Sequence, residues 1–373
     1  MNRYGILLMV LFIVGGLSFL TVQTVHTETN FFINDHSEIV RAFQDKSGSY
    51  EISVVGDTMF DWSIKDEMKS SGSAYPLEDI TPVIEKSDYA ILNLETAVGE
   101  NGYREAKQYT FQSAPSSTTA MKDAGFDLVS LANNHAMDYG REGLYETINH
   151  LNNAGIDYVG AGLNQQEAYL PHSLTLQNQS VDILAFSHVL PSISWYADET
   201  GGIASGYQEE RVFNQIVQSS RQSDTTIVYI HWGVERSPMP NKAIQNYAHR
   251  MIDAGADVVI GSHPHVLQGV EYYNNKPVVY SLGNFLFPDY VEGDSADSVI
   301  AQIEVFKDSY SLKLIPCIIK ESKVTIADEF NALRISEKVI QRSMMISPSA
   351  SFTFDDREGH YSLSISKAAD EDM

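Results

Sequence analysis

The sequence predicts an α/β domain with largely parallel strands, because short runs rich in β-branched residues alternate with amphipathic stretches from Tyr50 onward. Glycine follows the last periodic residue of several amphipathic stretches, as at Gly125, Gly155 and Gly255, which is typical of helix ends. The chain of 373 residues is 43% hydrophobic and 10% aromatic. This composition suffices for a large core and excludes wholesale disorder.

Eight strands and five helices are predicted along this alternating region. The predicted strands are Ile52–Val55, Tyr89–Leu92, Leu128–Leu131, Tyr158–Val159, Ile183–Phe186, Ile227–Ile230, Val258–Ile260 and Val278–Leu282. The predicted helices are Leu77–Glu85, Ser116–Ala124, Arg141–Ala154, Gln208–Ser220 and Lys242–Ala254. Glu271–Pro277 is predicted to form a hairpin in which Asn274 and Asn275 supply the turn.

The chain beyond Ser298 becomes rich in β-forming residues. We interpret Val299–Phe306 and Ser311–Ile319 as strands of a second sheet. Ser347–Met373 is polar and acidic, and we expect it to be loosely ordered.

A membrane anchor is predicted at the amino terminus, where Tyr4–Val22 carries no charge over nineteen residues. A helix of this length can cross a bilayer at about 1.5 Å rise per residue. Arg3 precedes the segment and acidic residues follow it, so the amino terminus is expected in the cytoplasm and the rest of this single-pass protein outside the cell membrane. Two alternatives to an uncleaved anchor remain. The segment could be a signal peptide, for which Gly16–Phe19 is a weak cleavage site, or it could be a helix buried in the core.

This interpretation divides the chain into four segments. They are a cytoplasmic stub with the transmembrane signal anchor (1–22), a tether (23–49), the main domain (50–320) and a C-terminal extension with an acidic tail (321–373).

Charge and cysteine content exclude several classes of protein. The chain has 25 Lys and Arg against 49 Asp and Glu, a net charge of −24. So negative a chain repels phosphate backbones, and no nucleic-acid partner is expected. The single cysteine, Cys317, excludes an internal disulfide and a cysteine-based zinc site.

Five of the predicted strands end in carboxylate, amide or imidazole side chains. These side chains are Asp57, Asn93, Glu95, Asn133, Asn134, His135, Asp138, His231, His263 and His265. The carboxyl ends of parallel strands in one sheet share an edge, which is where ligands bind, so we expect these residues to meet in one cleft.

This set of donors suits a divalent metal, namely Mn²⁺, Zn²⁺ or Fe²⁺, bound as one or two ions. Glu95 would serve as a bridging carboxylate, and His135 beside Asp138 is predicted to be an oriented acid. Glu235 and Arg236 follow His231 and are candidates for contacts with substrate, although a solvated Arg236 is the simpler alternative.

Each signal also has a structural alternative when taken alone. Asp57 after a glycine is typical of a turn, and Asn133-Asn134 of a helix cap. A strand-end histidine such as His231 is often a satisfied buried imidazole. His263-Pro264-His265 is the stronger signal, because the proline keeps both rings near each other.

Six segments in order along the chain carry a family resemblance. They are Val55–Phe60, Asn93–Val98, Leu131–Gly140, His231–Glu235, Gly261–Gly269 and Ser281–Phe285. This set resembles the CapA family of poly-γ-glutamate capsule biosynthesis proteins, also called PgsA. The resemblance implies a calcineurin-like metallophosphoesterase-type sandwich of two mixed β-sheets flanked by helices, here preceded by one transmembrane helix.

The resemblance also implies roles for the strand-end residues. Asp57 and His265 would hold one ion, with Glu95 as the bridge. The residues implied for the other ion are Asn134, His231 and His263. His135 would be the general acid, with Asp138 beside it.

One position departs from the metallophosphoesterase pattern. A histidine usually follows the first aspartate by two positions, and Met59 stands there instead. A thioether is a poor ligand for these ions, so the first metal site lacks one ligand. This departure argues against a hydrolytic activity of the protein more than against ligand binding by it.

The resemblance implies a membrane-bound partner of the capsule machinery. A cytoplasmic ATP-dependent ligase and a small multispanning protein would make and pass poly-γ-glutamate, and this chain would support elongation or transport at the outer face. The alternative is an extracellular metal-dependent hydrolase that acts on a phosphoester or on the γ-glutamyl polymer. A surface adhesin or an unrelated phosphatase with the same fold is a third reading.

Overall fold

The computed structural model describes residues 48–307, 309–348, 350–356 and 359–367, which belong to one compact unit beginning at Lys46. Its strands are β1 (Tyr50–Thr58), β2 (Tyr89–Leu94), β3 (Ala97–Val98), β4 (Gln112–Ser113), β5 (Leu128–Ser130), β6 (Asp157–Val159), β7 (Ala161–Gly162), β8 (His172–Leu176), β9 (Gln179–Ser187), β10 (Gly202–Ile203), β11 (Thr225–His231), β12 (Val258–Ser262), β13 (Val270–Tyr273), β14 (Lys276–Val279), β15 (Asn284–Leu286), β16 (Asp297–Phe306), β17 (Ser309–Lys320), β18 (Lys323–Ile326), β19 (Ala350–Asp355) and β20 (Ser362–Lys367). Its helices are α1 (Ser63–Ser71), α2 (Thr81–Ile84), α3 (Ser116–Asp123), α4 (Gly140–Ala154), α5 (Gln165–Tyr169), α6 (Glu209–Gln222), α7 (Lys242–Asp253) and α8 (Glu329–Ile346).

The first sheet is mixed and has the order β19-β20-β17-β16-β1-β2-β5-β6. Strands β1, β2, β5 and β6 are parallel, whereas β16 runs antiparallel to β1 with Ile52 opposite Ile303. The interpretation of Val299–Phe306 and Ser311–Ile319 as a second sheet is therefore wrong. Those residues form β16 and β17, which extend the first sheet on the free side of β1.

The second sheet has the order β13-β14-β12-β11-β9-β8 and parallel strands at its centre. Along β11, Ile227 and Tyr229 belong to the core shared by both sheets, while Val228 and Ile230 belong to a second core under α6 and α7. This alternation follows from the two-residue period of a strand. The Tyr229 hydroxyl donates to the Val55 carbonyl at 2.9 Å and so links the layers.

The parallel strands thus belong to two mixed sheets packed face to face in an α/β fold. The expectation that the site residues share the edge of a single sheet is wrong in that respect. A periodic pattern identifies a strand but does not identify the sheet that contains it. The carboxyl ends of β1 and β2 nevertheless lie beside those of β11 and β12.

Two further expectations need correction. Within Leu77–Glu85 only Thr81–Ile84 is helical, because Pro82 lacks an N–H and its ring blocks a preceding helical turn. The segment from residue 347, expected to be loosely ordered, forms β19 and β20 in its described part; β20 pairs with β17, and β19 pairs with β20.

The predicted hairpin at Asn274-Asn275 is confirmed. Both residues have left-handed φ values, 50° and 64°, as the favoured two-residue turn requires. Cys317 lies fully buried in β17, and burial raises the pKa of its thiol. No helix within the described ranges is long and apolar enough to span a membrane. The predicted anchor, Tyr4–Val22, lies outside the described residues.

Candidate metal centre

The first sheet supplies the carboxylates of the centre. Asp57 is the penultimate residue of β1 and Glu95 follows β2 directly, and both are fully buried. Gly56 cannot be replaced without movement, since a Cβ there would lie 2.0 Å from the carbonyl oxygen of Gly283. This close approach lets β15 pair beside the end of β1, where the Asp57 N–H donates to that carbonyl at 3.0 Å.

The second sheet supplies the imidazoles. His231 is the last residue of β11, and His263 follows β12. His263 and His265 have φ values of 96° and 56°, in the left-handed region that residues with a Cβ rarely adopt. Such strain is typical of binding sites, and here the backbone around Pro264 holds the two ring centroids 5.7 Å apart.

Carboxylate oxygens and imidazole nitrogens converge at the junction of the two sheets. His231 Nε2 lies 3.4 Å and His265 Nε2 lies 4.0 Å from Glu95 Oε1. His265 Nδ1 lies 3.4 Å from Asp57 Oδ2. In three groups of residues, one donor atom from each member lies within 4.8 Å of those of the others, and two of these groups contain Glu95: Glu95, His231 and His263, and Asp57, Glu95 and His265. Glu95 belongs to both groups, and this is the position that the family resemblance gives to a bridging carboxylate.

Glu95 is a fully buried carboxylate whose oxygens have no hydrogen-bond partner among the described residues. Neither of its carboxylate oxygens accepts a hydrogen bond, and His263 Nδ1 also has no hydrogen-bond partner in the described structure. Burial and the nearby Asp57 carboxylate raise the pKa of Glu95 well above its usual value. Because a buried carboxylate without a counter-charge is strongly unfavourable, this donor set fits a divalent cation.

Two of the three histidines are neutral near pH 7. Burial lowers the pKa of His231 to about 3. Burial and the imidazoles around it also lower the pKa of His263. Neutral imidazole is the form that coordinates metal ions. Burial acts in the same direction on His265, but the Glu95 and Asp57 carboxylates outweigh it and raise the pKa of that residue.

Amide side chains orient these donors. Asn93 Nδ2 donates to Asp57 Oδ1 at 2.8 Å, and Asn133 Nδ2 donates to Asn93 Oδ1 at 3.0 Å. Asn134 Oδ1 lies 2.7 Å from His231 Nε2, so Asn134 adds an oxygen from the first sheet. The centre therefore has a network that holds the carboxylate and the imidazole in place before a ligand binds.

His135 and Asp138 form a separate pair beside the centre. His135 Nδ1 donates to Asp138 Oδ2 at 2.7 Å, which leaves Nε2 without this bond. Lys107 pairs with the other oxygen of Asp138 and donates to the Asn134 carbonyl. Burial outweighs Asp138 and lowers the pKa of His135 to about 4, so the ring is neutral near pH 7.

The structure brings together the eight residues predicted from the sequence as metal ligands or catalytic residues. They are Asp57, Glu95, Asn134, His135, Asp138, His231, His263 and His265. Glu235, a candidate for substrate contacts, is exposed and has a carboxylate oxygen within 4.8 Å of donor atoms of His263 and His265. Lys107 is a site residue that sequence reasoning missed, because it lies in the loop between β3 and β4 and no local pattern marks it.

The Met59 side chain packs in the core and is not among the donors of the centre. Its side chain is fully buried in a small apolar cluster with Phe111, Phe287 and Ile319. Its Sδ accepts the Asp61 N–H at 3.0 Å. The position of the expected histidine is thus part of an apolar layer under the site.

The fold and the site define a class: a two-sheet α/β protein with a buried carboxylate–imidazole centre at the strand ends. The family described as bacterial capsule synthesis protein PGA_cap matches residues 51–289, and the chain belongs to this family.

Similar proteins carry related names. The PGA biosynthesis protein CapA of Bacillus subtilis (strain 168) is 32% identical over 259 residues, 69% of this chain and 68% of that protein. The capsule biosynthesis protein CapA of Bacillus anthracis is 32% identical over 282 residues, 72% of this chain and 67% of that protein. A probable polyglutamine synthesis accessory protein of Mycobacterium tuberculosis is 29% identical over 283 residues, 72% of each chain.

Among solved structures, Haemophilus influenzae NAD nucleotidase superposes with a TM-score of 0.40 at 12% identity, covering 76% of this chain and 53% of that chain. A TM-score of this size indicates a distant likeness.

Proposed function

We propose that this protein is a membrane-anchored, extracytoplasmic component of the poly-γ-glutamate capsule machinery that supports elongation or transport of the polymer. Membership of the capsule synthesis family and the names of the Bacillus relatives support this role. The uncharged segment Tyr4–Val22 supports the anchor, with the amino terminus in the cytoplasm. The partners in this proposal are a cytoplasmic ligase subunit and a small multispanning membrane subunit.

The unpaired, fully buried Glu95 carboxylate is the observation that supports a metal in the cleft. In this proposal the fold is of the metallophosphoesterase type and the ion is Mn²⁺, Zn²⁺ or Fe²⁺. The residues that would hold it are Asp57, Glu95, Asn134, His231, His263 and His265. A bound ion would polarise a carbonyl or phosphoryl oxygen and would supply positive charge to an otherwise acidic protein.

Metal analysis of the purified protein beside a His263→Ala/His265→Ala variant tests the metal centre. We expect about one to two equivalents of a transition metal in the wild type and none in the variant. His150→Ala, which removes a half-buried histidine of α4, is the matched control and should keep the metal. A wild type without metal, and without thermal stabilisation by Mn²⁺ or Zn²⁺, would contradict the metal centre.

The role in capsule synthesis is tested in cells that lack their own CapA-type protein. The wild-type chain should restore cell-associated γ-linked polyglutamate, and the double histidine variant should not. Failure of the wild type to restore polymer would contradict the proposed function. Restoration by the variant would show that the capsule role does not need the centre.

A hydrolase is the second candidate, and the arrangement of His135, Asp138 and Lys107 favours it. Asp138 orients the His135 ring, as an acid–base residue requires. In this case His135→Ala should abolish any hydrolysis of phosphoesters or of γ-glutamyl polymer while the metal content stays unchanged. Loss of metal together with activity would instead make His135 a ligand.

A further inference from the structure

Three exposed aromatic side chains lie together near the metal centre. Trp62, Tyr109 and Tyr290 are 42%, 53% and 52% exposed. The Trp62 ring centroid lies 6.4 Å from that of Tyr109 and 5.5 Å from that of Tyr290. They come from three segments, before α1, between β3 and β4, and after β15. We call these three residues the aromatic rim. A contiguous exposed apolar surface of this kind typically marks a binding site.

Two buried phenylalanines connect the aromatic rim with the histidines of the site. Phe111 packs edge-to-face against the tryptophan of the rim at 5.4 Å and lies 4.4 Å from the His135 ring. Phe287 lies 6.4 Å from Tyr290 and 5.1 Å from the His265 ring. The rim and the centre therefore share one supporting layer, and a ligand in the centre would lie beside the rim.

The backbone of Trp62 is strained. Its φ of 55° and ψ of −128° are outside the conformations that a bulky residue normally adopts. Strain of this kind is concentrated at functional sites, where it holds a side chain in a required position. The other two tryptophans of the chain, Trp195 and Trp232, are 1% and 0% exposed. Trp62 is thus the single tryptophan that a ligand or a quencher can reach.

Electrostatic attraction is weak around the aromatic rim. Lys65 lies 3.8 Å from a carboxylate oxygen of Asp61, and Lys107 is paired within the site. Burial and the Glu95 and Glu235 carboxylates raise the pKa of the Tyr290 hydroxyl and outweigh Arg236, an exposed cation that lowers that pKa. A polyanion would therefore need contacts other than a basic patch, since the whole chain carries a charge of −24.

We propose that the aromatic rim binds the amide backbone of a γ-linked glutamate polymer while the metal centre takes one of its carboxylates; this inference rests on the proposed function. Flat amide groups and methylenes stack on aromatic faces without a need for positive charge. The rim would thus supply the affinity that the net charge of the protein opposes.

Acrylamide quenching of tryptophan fluorescence tests the rim directly, because Trp62 is the exposed tryptophan. A synthetic γ-linked oligoglutamate should protect Trp62 in the Mn²⁺-treated protein, and free glutamate should not. Protection by a neutral glucan oligosaccharide but not by the oligoglutamate would overturn the proposal.

Calorimetric titration with the same oligoglutamate compares the affinities of variants in the aromatic rim with that of a control variant. Trp62→Ala and Tyr290→Ala should each weaken binding roughly ten-fold with unchanged metal content. Phe330→Ala, which removes a 75% exposed aromatic residue of α8, is the control and should bind like the wild type. Unchanged affinity in both rim variants would overturn the proposal and leave the proposed function intact, whereas a wild type that restores no polymer in cells would remove both.

Salt dependence separates this binding mode from a basic patch. Affinity should hold or rise between about 0.05 M and about 0.5 M NaCl, because screening reduces the repulsion between two acidic partners. A steep loss of affinity with salt would contradict the proposal.

Discussion

Two clusters of carboxylates, each containing a buried aspartate, differ in what neutralises them. Beneath α8, Asp297 is 2% exposed and accepts hydrogen bonds from both terminal nitrogens of Arg334, each at 2.7 Å. Lys338 pairs with both Asp297 and Asp294, and Arg342 pairs with Asp294 at 2.6 Å. Each carboxylate of this cluster has a cation from the chain itself, and the pairs join α8 to the start of β16.

The metal centre has similar carboxylates but no lysine or arginine paired with them. Asp57 and Glu95 are as deeply buried, and the nearby Lys107 is already paired with Asp138. The comparison teaches that burial of acidic residues alone does not mark a site. A site is marked where no lysine or arginine of the chain neutralises the buried carboxylates.

Glu95→Gln should show the largest contrast between the clusters. Metal affinity should fall at least about 100-fold, because a ligand shared by both donor groups is lost. In EDTA, the free energy of unfolding should stay unchanged or rise by about 1 kcal/mol, because an unpaired buried charge is removed. Metal titration and urea unfolding measure the two effects. A variant that is less stable in EDTA would show that Glu95 has a partner in the metal-free protein.

Asp297→Asn should have the opposite signature. Stability should fall by about 2 kcal/mol with or without metal, less than for a fully buried pair because the Arg334 side chain is 39% exposed. Glu337→Gln, at an exposed position of the same helix, is the control and should change stability by less than about 0.5 kcal/mol. Urea unfolding measures the stability of both variants. Equal stabilities of Asp297→Asn and Glu337→Gln would contradict the comparison.

The two clusters should also respond to pH with opposite signs. Hydrogen bonds from Lys338 and Arg342 lower the pKa of Asp294, so its contribution to stability is present above the ordinary carboxyl pKa and is lost as pH falls through the lower folded value. The raised pKa of Glu95 acts in reverse: in metal-free protein, stability is lost as pH rises from the ordinary pKa towards the folded value.

Unfolding of Asp294→Asn and Glu95→Gln in EDTA across pH 3 to 8 measures these slopes. The deficit of Asp294→Asn should shrink in acid and stay below about 1 kcal/mol, since Asp294 is half exposed. The advantage of Glu95→Gln should grow as pH rises. Parallel slopes for the two variants would contradict the contrast.

The sequence predicts the meeting of the site residues well, for a physical reason. Strand periodicity places Asp57, His231 and His263 at strand ends, and parallel strands bring such ends together. Strand periodicity does not predict the division into two sheets, which only the family resemblance implies. The antiparallel neighbour of β1 is β16, which is distant from it in sequence. Local sequence patterns contain no information on such long-range pairing.

Loop residues account for the rest of what the sequence did not predict. Lys107 and Tyr109 lie in one loop and Tyr290 in another, where no period of 2 or 3.6 relates a residue to its neighbours in space. Trp62 lies just before α1, and only its φ in the folded chain distinguishes it from an ordinary surface aromatic residue.

The burial of Cys317 makes the fold insensitive to reagents that attack thiols. The lone thiol is fully enclosed in β17 and its raised pKa keeps it protonated, so oxidants, alkylating reagents and low-molecular-weight disulfides find no thiolate to attack. The chain gains no covalent cross-link in an oxidising medium and loses none in a reducing one. Its described domain is therefore expected to fold without disulfide bonds in oxidising and reducing media alike.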